Sequence, residues 1–286
     1  MTWEETIIYA RSQNEFKQLI QDAYLDEDLQ KNCETYRKSK EFKASLNLIK
    51  QTLSKKDDGE KKTLLDLGAG NGICTVAFAL ENFTVVAVEP DPSMTVGSGA
   101  IQQLKNQYHI ADIDIQFGFG ESLPFADASF DVVYARQVMH HAQDLNQFIS
   151  ESARVLKKGG LLITVRDHVV NDQEQKKEFL ENHAFQKYYG GENAFSVLEY
   201  TSAFKAAGLM LDKTLGPLDS PINYSPRSKN ELTEEFKRVF QTKFGIKLPN
   251  VSFINNLIFK LFKWRTKNLN AIAGRLYTFI AIKPNH

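Results

Sequence analysis

The residues with the clearest capacity for chemistry are an acid and three alternating glycines within TLLDLGAGNGICTVAFA, residues 63–79. Asp66 stands near the end of an apolar run, and Gly68, Gly70 and Gly72 follow it before an apolar pattern of helical type. Glycines let the backbone adopt positive φ and approach a ligand where a Cβ would collide. The unpaired N–H groups and partial positive charge of the helix N-terminus point to the same place. The segment therefore predicts a strand, a ligand-binding loop and a helix.

A second acid, Glu89, ends the β-branched run TVVAVE nineteen residues after Gly70. A carboxylate at this spacing, at the end of the second strand, meets the ribose hydroxyls in nucleotide-binding folds. The dinucleotide fingerprint is G-x-G-x-x-G, but here the glycines run G-x-G-x-G and Ile73 stands where the third glycine of that fingerprint would be. The spacing therefore favours a nucleoside-containing ligand and disfavours a nicotinamide-dependent oxidoreductase.

Four of the six histidines fall in segments expected to reach the same edge of the sheet: His140, His141, His168 and His183. Histidine titrates near neutrality and suits general base catalysis. We expect His168, directly after the fifth predicted strand, to be the base where one is needed, with Asp167 or Glu192 orienting it. His140 and His141 are adjacent and cannot both face the ligand. For each histidine alone, a hydrogen-bonded residue that shapes the pocket is an equally good interpretation.

The same segments contain the residue types of two further kinds of site. Asp167, His168, His183 and Glu192 are metal-ligand types without a recognised ligand spacing, so the sequence predicts no metal site. Arg136 follows the fourth predicted strand, and its planar guanidinium suits a carboxylate or phosphate group on a substrate.

The elements that must position these residues alternate between strand and helix, which predicts an α/β fold with a parallel sheet covered by helices on both faces. We expect the helix over residues 93–108 to have loose first turns, because Gly97 and Gly99 disfavour helix. Gly159 and Gly160 are expected to cap the helix that contains Leu145. The predicted strands are residues 63–67, 84–89, 114–119, 130–135, 160–167, 209–215 and 275–282.

We expect one domain with four parts, since no repeat or low-complexity segment divides the chain. Residues 1–62 form a helical cap that ends in a charged linker, residues 55–62, and residues 63–221 form the nucleotide-binding core. Residues 222–272 form a helical insertion, and residues 273–286 supply the last strand.

Composition argues against several classes of partner. The 35 basic residues balance the 35 acidic ones, so no net field attracts nucleic acid or an anionic membrane. Two cysteines are too few for a disulfide framework, and no secretion signal or ~20-residue apolar run is present, which predicts a cytoplasmic protein. The helix near residues 251–267 is basic and amphipathic, but its apolar residues on several faces favour burial over membrane contact.

From residue 63 to residue 167 the motifs occur in an order that resembles the class I S-adenosylmethionine-dependent methyltransferases, in particular the family that includes the ubiquinone- and menaquinone-pathway enzymes. The resemblance rests on the glycine loop, on TVVAVE and on ESLPFADASFDVVYARQVMHHAQDLNQFISESARVLKKGGLLI. It implies a doubly wound, seven-stranded, mostly parallel sheet with an antiparallel last strand and added helical lid elements. It also implies S-adenosyl-L-methionine as cofactor.

The resemblance further implies which residues form the site. The methionine part would lie near Asp66, the ribose at Glu89, and the adenine at Gly120 and Glu121. The family has an acid where this chain has Phe119, so we expect the adenine to be held by stacking and by the Glu121 N–H. The implied cofactor-binding residues are Asp66, Gly68, Ala69, Gly70, Glu89, Pro90, Gly120, Glu121 and Arg136. The resemblance places His141 and Arg136 beside the methyl-transfer site, and together with His168, expected to be the base from its position after the fifth strand, they are the expected catalytic residues.

The expected function is transfer of a methyl group to a small-molecule acceptor, by in-line displacement at an O, N or C nucleophile. A nucleic-acid amino-methyltransferase would carry an Asn/Asp/Ser-Pro-Pro-Tyr motif where Ala135, Arg136, Gln137 and Val138 stand. A non-catalytic protein that binds S-adenosylmethionine is the remaining alternative. The substrate, the methylated atom and a homodimeric state are left open.

Overall fold

The computed structural model describes residues 1–53, 60–269 and 272–285, so most of the predicted linker, residues 55–62, lies outside the described residues. The strands are β1 Thr63–Leu67, β2 Thr84–Val88, β3 Ile113–Gln116, β4 Phe130–Arg136, β5 Leu156–Val169, β6 Met210–Leu215 and β7 Arg275–Ile282. The helices are α1 Trp3–Ser12, α2 Lys17–Asp22, α3 Leu29–Lys38, α4 Lys40–Leu53, α5 Ile73–Ala79, α6 Ser98–Gln107, α7 Leu145–Val155, α8 Gln173–Asn182, α9 Gln186–Tyr189, α10 Val197–Ala206, α11 Pro221–Tyr224, α12 Lys229–Phe244 and α13 Ser252–Leu269.

The seven strands form one sheet in the order β3-β2-β1-β4-β5-β7-β6. The pairs among β1 to β5 are parallel, whereas β7 is antiparallel to both β5 and β6. The predicted fold, including the reversed last strand, is confirmed. The strand order changes direction between β1 and β4, and ligands of open α/β sheets bind outside the carboxyl ends of the strands at such a point.

The sheet is buried on both faces because its central strands are nearly continuous apolar runs. Leu64 of β1 faces one core cluster, which also contains Phe78 of α5, while Leu65 faces the other, which also contains Phe148 of α7. Helix α7 begins at the Asp144 N-cap, whose side chain accepts from the backbone N–H of Gln147. The rigid two-faced core fixes the strand ends that carry the site.

Two local boundaries test the glycine predictions. Helix α6 begins only at Ser98, as the loose first turns predict, and a Cβ on Gly97 would lie 2.1 Å from the carbonyl oxygen of Asp91. The predicted cap at Gly159 and Gly160 is wrong, because α7 ends at Val155 and β5 begins at once. The N–H of Gly159 donates to the carbonyl of Lys283 at 2.7 Å and so extends the sheet.

The N-terminal helices pack on two different parts of the core. Tyr36 of α3 and Phe42 of α4 belong to the same buried cluster as Phe78 of α5. Helices α1 and α2 instead pack against the segment after α8, where Phe16 meets Phe185. The chain thus joins its N-terminal helices to the loops above the carboxyl ends of the strands.

Helix α13 is only half covered in the structure. Ile258 and Phe259 are buried, but Phe253, Leu257 and Trp264 are 77%, 49% and 67% exposed. The expected burial of this helix therefore holds for one face alone. Within residues 1–53, 60–269 and 272–285, no helix combines the length and the apolar character needed to cross a bilayer.

Candidate functional site

The glycine loop follows β1 with three left-handed residues, at φ +69° for Gly68, +54° for Gly70 and +82° for Gly72. A Cβ on Gly68 would lie 2.3 Å from Cγ2 of Val138, so only glycine fits there. A Cβ on Gly70 would meet nothing nearer than the carbonyl oxygen of Val96 at 3.8 Å. Gly70 therefore faces open space, as a residue in contact with a ligand should.

Glu89 follows β2 and lies across this loop. Its Oε2 accepts from the backbone N–H of Gly70 at 2.7 Å, and its Oε1 accepts from that of Asp91 at 2.9 Å. Each carboxylate oxygen keeps a second lone pair for another donor. Burial raises the pKa of Glu89 to about 7, although the two backbone hydrogen bonds oppose this shift. Glu89, the residue predicted to bind the ribose, thus lies at the loop, and its carboxylate can accept further hydrogen bonds.

Asp66 lies beneath the loop and is almost fully buried. One carboxylate oxygen accepts from the Thr75 hydroxyl of α5 at 2.6 Å, which ties the end of β1 to the helix. Burial raises the pKa of Asp66 to about 6, against the opposing hydrogen bond from Thr75. In this arrangement Asp66 supports the loop from below.

The predicted adenine side lies in the turn after β3. A Cβ on Gly120 would lie 2.1 Å from Phe148 of α7, so this glycine is required by packing. The Glu121 carboxylate accepts from the N–H of Gln143 at 2.9 Å. Phe119 is 56% exposed and meets Phe117 edge to face at 5.8 Å, so an aromatic ring is available for stacking.

Arg136, at the end of β4, has contacts that the sequence did not predict. Its Nε donates to the Glu41 carboxylate of α4 at 2.6 Å, and its guanidinium lies 5.5 Å from the ring centres of Tyr24 and Tyr36. The charge of Glu41 raises the pKa of Arg136 well above its ordinary value, although burial opposes this. The guanidinium is thus engaged with the N-terminal helices, and the clamp role for substrate or cofactor stays a prediction.

His140 is the centre of a buried cluster at the ends of β4 and β5. Its backbone N–H and its Nδ1 both lie near Oδ1 of Asp167, at 3.2 and 3.1 Å. Its Nε2 lies 3.5 Å from Oε2 of Glu192. Burial lowers the pKa of His140, but the two carboxylates outweigh it and raise the pKa to about 9. The Asp167 carboxylate therefore orients His140, and the expectation that it orients His168 is wrong.

The two predicted bases flank His140. His141 Nδ1 lies 2.9 Å from the carbonyl oxygen of Gly191, and His168 Nδ1 lies 2.9 Å from that of Gly274. Burial, with the charge of His140, lowers the pKa of His141 to about 4 and that of His168 to about 3. Both rings are neutral at pH 7, and each leaves Nε2 as a lone-pair acceptor. The carbonyls that orient them gave no signal in the sequence.

Comparison with known proteins relates this chain to methyltransferases. Residues 65–164 match the family model described as a methyltransferase domain. The chain is 33% identical to the uncharacterized methyltransferase YcgJ of Bacillus subtilis over 153 residues, which cover 54% of this chain and 58% of that protein. It is 34% identical to the 27-O-demethylrifamycin SV methyltransferase of Amycolatopsis mediterranei over 103 residues, which cover 35% of this chain and 36% of that protein.

Solved structures agree at the level of the fold. The crystal structure of YcgJ superposes with a TM-score of 0.53 and 21% identity, covering 84% of this chain and 100% of that one. The geranyl diphosphate methyltransferase in complex with SAM superposes with a TM-score of 0.55 and 17% identity, covering 84% of both chains.

Residues 65–164 match a methyltransferase domain, and the sheet around them has the Rossmann-like topology of the solved methyltransferase structures. The fold that the motifs imply is therefore confirmed, and the match over residues 65–164 agrees with the class that they imply. The matched segments span between about a third and somewhat more than half of the curated relatives named above. The narrower resemblance to quinone-pathway enzymes and the roles of single residues stay predictions.

Proposed function

We propose that the protein is an S-adenosylmethionine-dependent methyltransferase that acts on a small-molecule acceptor. The observation that supports this most is the open face of Gly70 beside Glu89, whose oxygens retain lone pairs, at the point where the strand order reverses. A nucleoside ribose offers two hydroxyl donors to such a carboxylate. The residues of the loop thus fit the cofactor that the family resemblance implies.

The residues of the chain would act mainly by positioning the cofactor and the acceptor. Glu89 would hold the ribose, the loop N–H groups would hold the amino-acid end, and Phe119 would lie against the adenine. When bound, S-adenosylmethionine supplies a methyl group on a positively charged sulfur that is already a good leaving group. Alignment and exclusion of water are then the protein's task, and well-oriented reactions gain up to about 7–11 kcal/mol in this way.

A small acceptor is favoured by what covers the site. Trp3 of α1 lies 5.0 Å from Tyr189, and Tyr9 lies 5.1 Å from Tyr188, ring centre to ring centre. This aromatic contact closes the N-terminal helices over the segment that also carries Gly191, the hydrogen-bond partner of His141. A covered edge with no net charge on the chain suits a metabolite better than a polymer.

His141 is the better placed of the two predicted bases. Its ring is partly exposed and its Nε2 is free to accept a proton from an acceptor hydroxyl, since Nδ1 faces a carbonyl. His168 lies between the rings of His140 and Phe179, each 4.7 Å away. By placement, a direct role in proton transfer is assigned to His141, as a neutral but weak base because its pKa is lowered to about 4, and His168 is assigned to the surrounding cluster.

Calorimetric titration with S-adenosylhomocysteine tests the cofactor site. We expect binding by the parent protein and at least tenfold weaker binding by Gly70→Ala, because the added methyl group enters the open space at the loop. Gly245→Ala is the matched control: Gly245 has φ +68° and nothing within 4 Å of a Cβ, so it bears the same backbone strain far from the loop.

Transfer of label from methyl-labelled S-adenosylmethionine to a pool of metabolites tests the reaction. We expect one or more low-molecular-mass products to become labelled, and none with Gly70→Ala. Binding of nicotinamide dinucleotide in place of S-adenosylhomocysteine would refute the proposal. Binding without label transfer to any acceptor would favour the non-catalytic alternative.

A further inference from the structure

We propose that His140, His168 and Glu192 form a binding site for a divalent transition-metal ion. One ligand atom from each of the three residues lies within 4.8 Å of the others. Two imidazoles and one carboxylate are a donor set that zinc and other first-row divalent ions accept, with coordination positions left over. This differs from the expectation drawn from the sequence, which predicted no metal site.

The spacing of the donor atoms is close to what an ion needs. Two ligands bound at about 2.1 Å in a tetrahedral arrangement are about 3.4 Å apart. His140 Nε2 and Glu192 Oε2 are 3.5 Å apart, which is longer than a normal N–H···O hydrogen bond. The ligand atoms lie within 4.8 Å of one another, so binding would draw the third donor inward by up to about 1.4 Å.

The orientation of both histidine rings supports the assignment independently. Nδ1 of His140 faces the Asp167 carboxylate, and Nδ1 of His168 faces the carbonyl oxygen of Gly274. Ligand histidines in proteins commonly use their second ring nitrogen in this way, which fixes the ring and directs the other nitrogen to the metal. In His168 Nε2 is thereby left as an acceptor, and in His140 the ion would replace the Nε2 proton that faces Glu192.

Several buried polar atoms around the cluster make no hydrogen bond, although the Glu192 carboxylate lies near His140 and His183. Among the described residues, Oε2 of Glu192, Oδ2 of Asp167 and Nδ1 of His183 are buried without a hydrogen bond. The Glu192 side chain is only 6% exposed, and the Asp167 side chain is not exposed at all. Leaving such groups unsatisfied costs free energy, and a bound cation would satisfy the carboxylate of Glu192 directly.

The position of the cluster relates the ion to the proposed reaction. The residues that begin it, Met139–His141, directly follow Val138, whose side chain packs on Gly68 of the glycine loop. An ion here with open positions would take oxygen atoms of an acceptor, and a coordinated hydroxyl becomes more acidic. A hydroxyl-bearing acceptor is the corresponding substrate class. This last step rests on the proposed function, whereas the ion site does not.

The test uses the untagged full chain, freed of metal with a chelator and then titrated with Zn²⁺. We expect one ion per chain with all three ligands present. Glu192→Gln and His168→Gln should weaken binding at least tenfold, and Asp167→Asn should weaken it about 10- to 100-fold through loss of the ring's partner. His109→Asn is the matched control, because His109 is exposed, lies outside the cluster and has φ +54°, which asparagine tolerates.

The outcomes separate the ion site from the rest of the proposal. Absence of Zn²⁺ binding by the folded parent protein, or equal binding by Glu192→Gln and His168→Gln, would overturn the site. Co²⁺ in place of Zn²⁺ gives an absorption spectrum that must change in the Glu192 variant, even where a variant is less stable. S-adenosylhomocysteine titrated into the same preparation tests the proposed function separately, since either ligand can bind without the other.

Discussion

The carboxyl group of Glu89 should make cofactor affinity depend on pH. Burial raises its pKa to about 7, so it is half ionised at neutrality, while each of its oxygens is positioned to accept a hydrogen bond. Ribose hydroxyls bind the ionised form, because the protonated form turns one acceptor into a donor. The ionised fraction rises from about a tenth at pH 6 to about nine tenths at pH 8, so affinity should rise about tenfold, or ~1.4 kcal/mol.

Calorimetry of S-adenosylhomocysteine binding at pH 6, 7 and 8 measures this slope, and buffers of different ionisation enthalpy count the proton that binding releases. Glu89→Gln should bind weakly at all three pH values and lose the part of the slope that Glu89 causes. Glu181→Gln removes an exposed carboxylate elsewhere on the chain and should behave like the parent. An equal slope in the parent and in Glu89→Gln would refute the reasoning.

The same shift predicts how stability without ligand depends on pH. The folded-state pKa of Glu89 lies above its ordinary value of 4.5, so the folded chain holds more protons than the unfolded chain between about pH 4.5 and 7. Its contribution is fully present below pH 4.5 and is lost as the pH rises through 7, by up to about 3 kcal/mol. Asp66, with its pKa raised to about 6, acts in the same direction. In urea unfolding, the free energy of unfolding should fall less between pH 5 and pH 8 for Glu89→Gln than for the parent protein.

Three further predictions follow from packing and charge. Gly68→Ala should destabilise the fold by about 2–3 kcal/mol in urea unfolding, because its Cβ meets Val138 at 2.3 Å and φ is +69°, and Val138→Ala should recover part of the loss. Glu41→Gln should cost about 3–5 kcal/mol by leaving Arg136 buried without its partner, and a loss below about 1 kcal/mol would contradict the ion pair's role. Phe119→Asp, at an exposed position, should leave stability within about 0.5 kcal/mol and weaken S-adenosylhomocysteine binding severalfold by removing the ring expected to stack on the adenine. Equal or tighter binding by that variant would contradict stacking on Phe119.

The fold could be predicted because its signals are local. Strands β1 and β7 and helix α12 begin and end where apolar runs and capping residues place them; Ser228 and Glu231, for example, form a capping box at the start of α12. Gly159 failed as a predictor because its N–H finds a partner in Lys283, a residue far along the chain. Local patterns predict an element, but they do not show which distant strand it pairs with.

The types of residue in the site could be predicted from the sequence, but the contacts between them could be predicted less well. The glycine loop and Glu89 lie within one strand–helix–strand unit, and they come together as expected. Arg136 finds its partner in Glu41, 95 residues away in a part of the chain outside the recognisable motifs. The histidine cluster draws its members from two strand ends and a loop, at spacings that no metal motif contains. Contacts of this kind depend on the packed fold, and a single sequence carries no signal for them.

The irregular end of β5 separates two groups of charged side chains at one edge of the sheet, one around Arg166 and the other around Asp167. The pairing of β5 with β7 is irregular between Thr164 and Asp167, and Arg166 within this stretch has φ +62°. A bulge of this kind re-aims side chains next to a site. The guanidinium of Arg166 donates to the carbonyls of Ile222 and Ser225, while the next residue, Asp167, holds His140. The irregular pairing at Arg166 thus directs its guanidinium toward the N-terminal helices and α11, whereas the carboxylate of the next residue, Asp167, lies beside the histidine cluster. Substitutions at Arg166 should therefore lower stability first, whereas substitutions at Asp167 should change ion binding first.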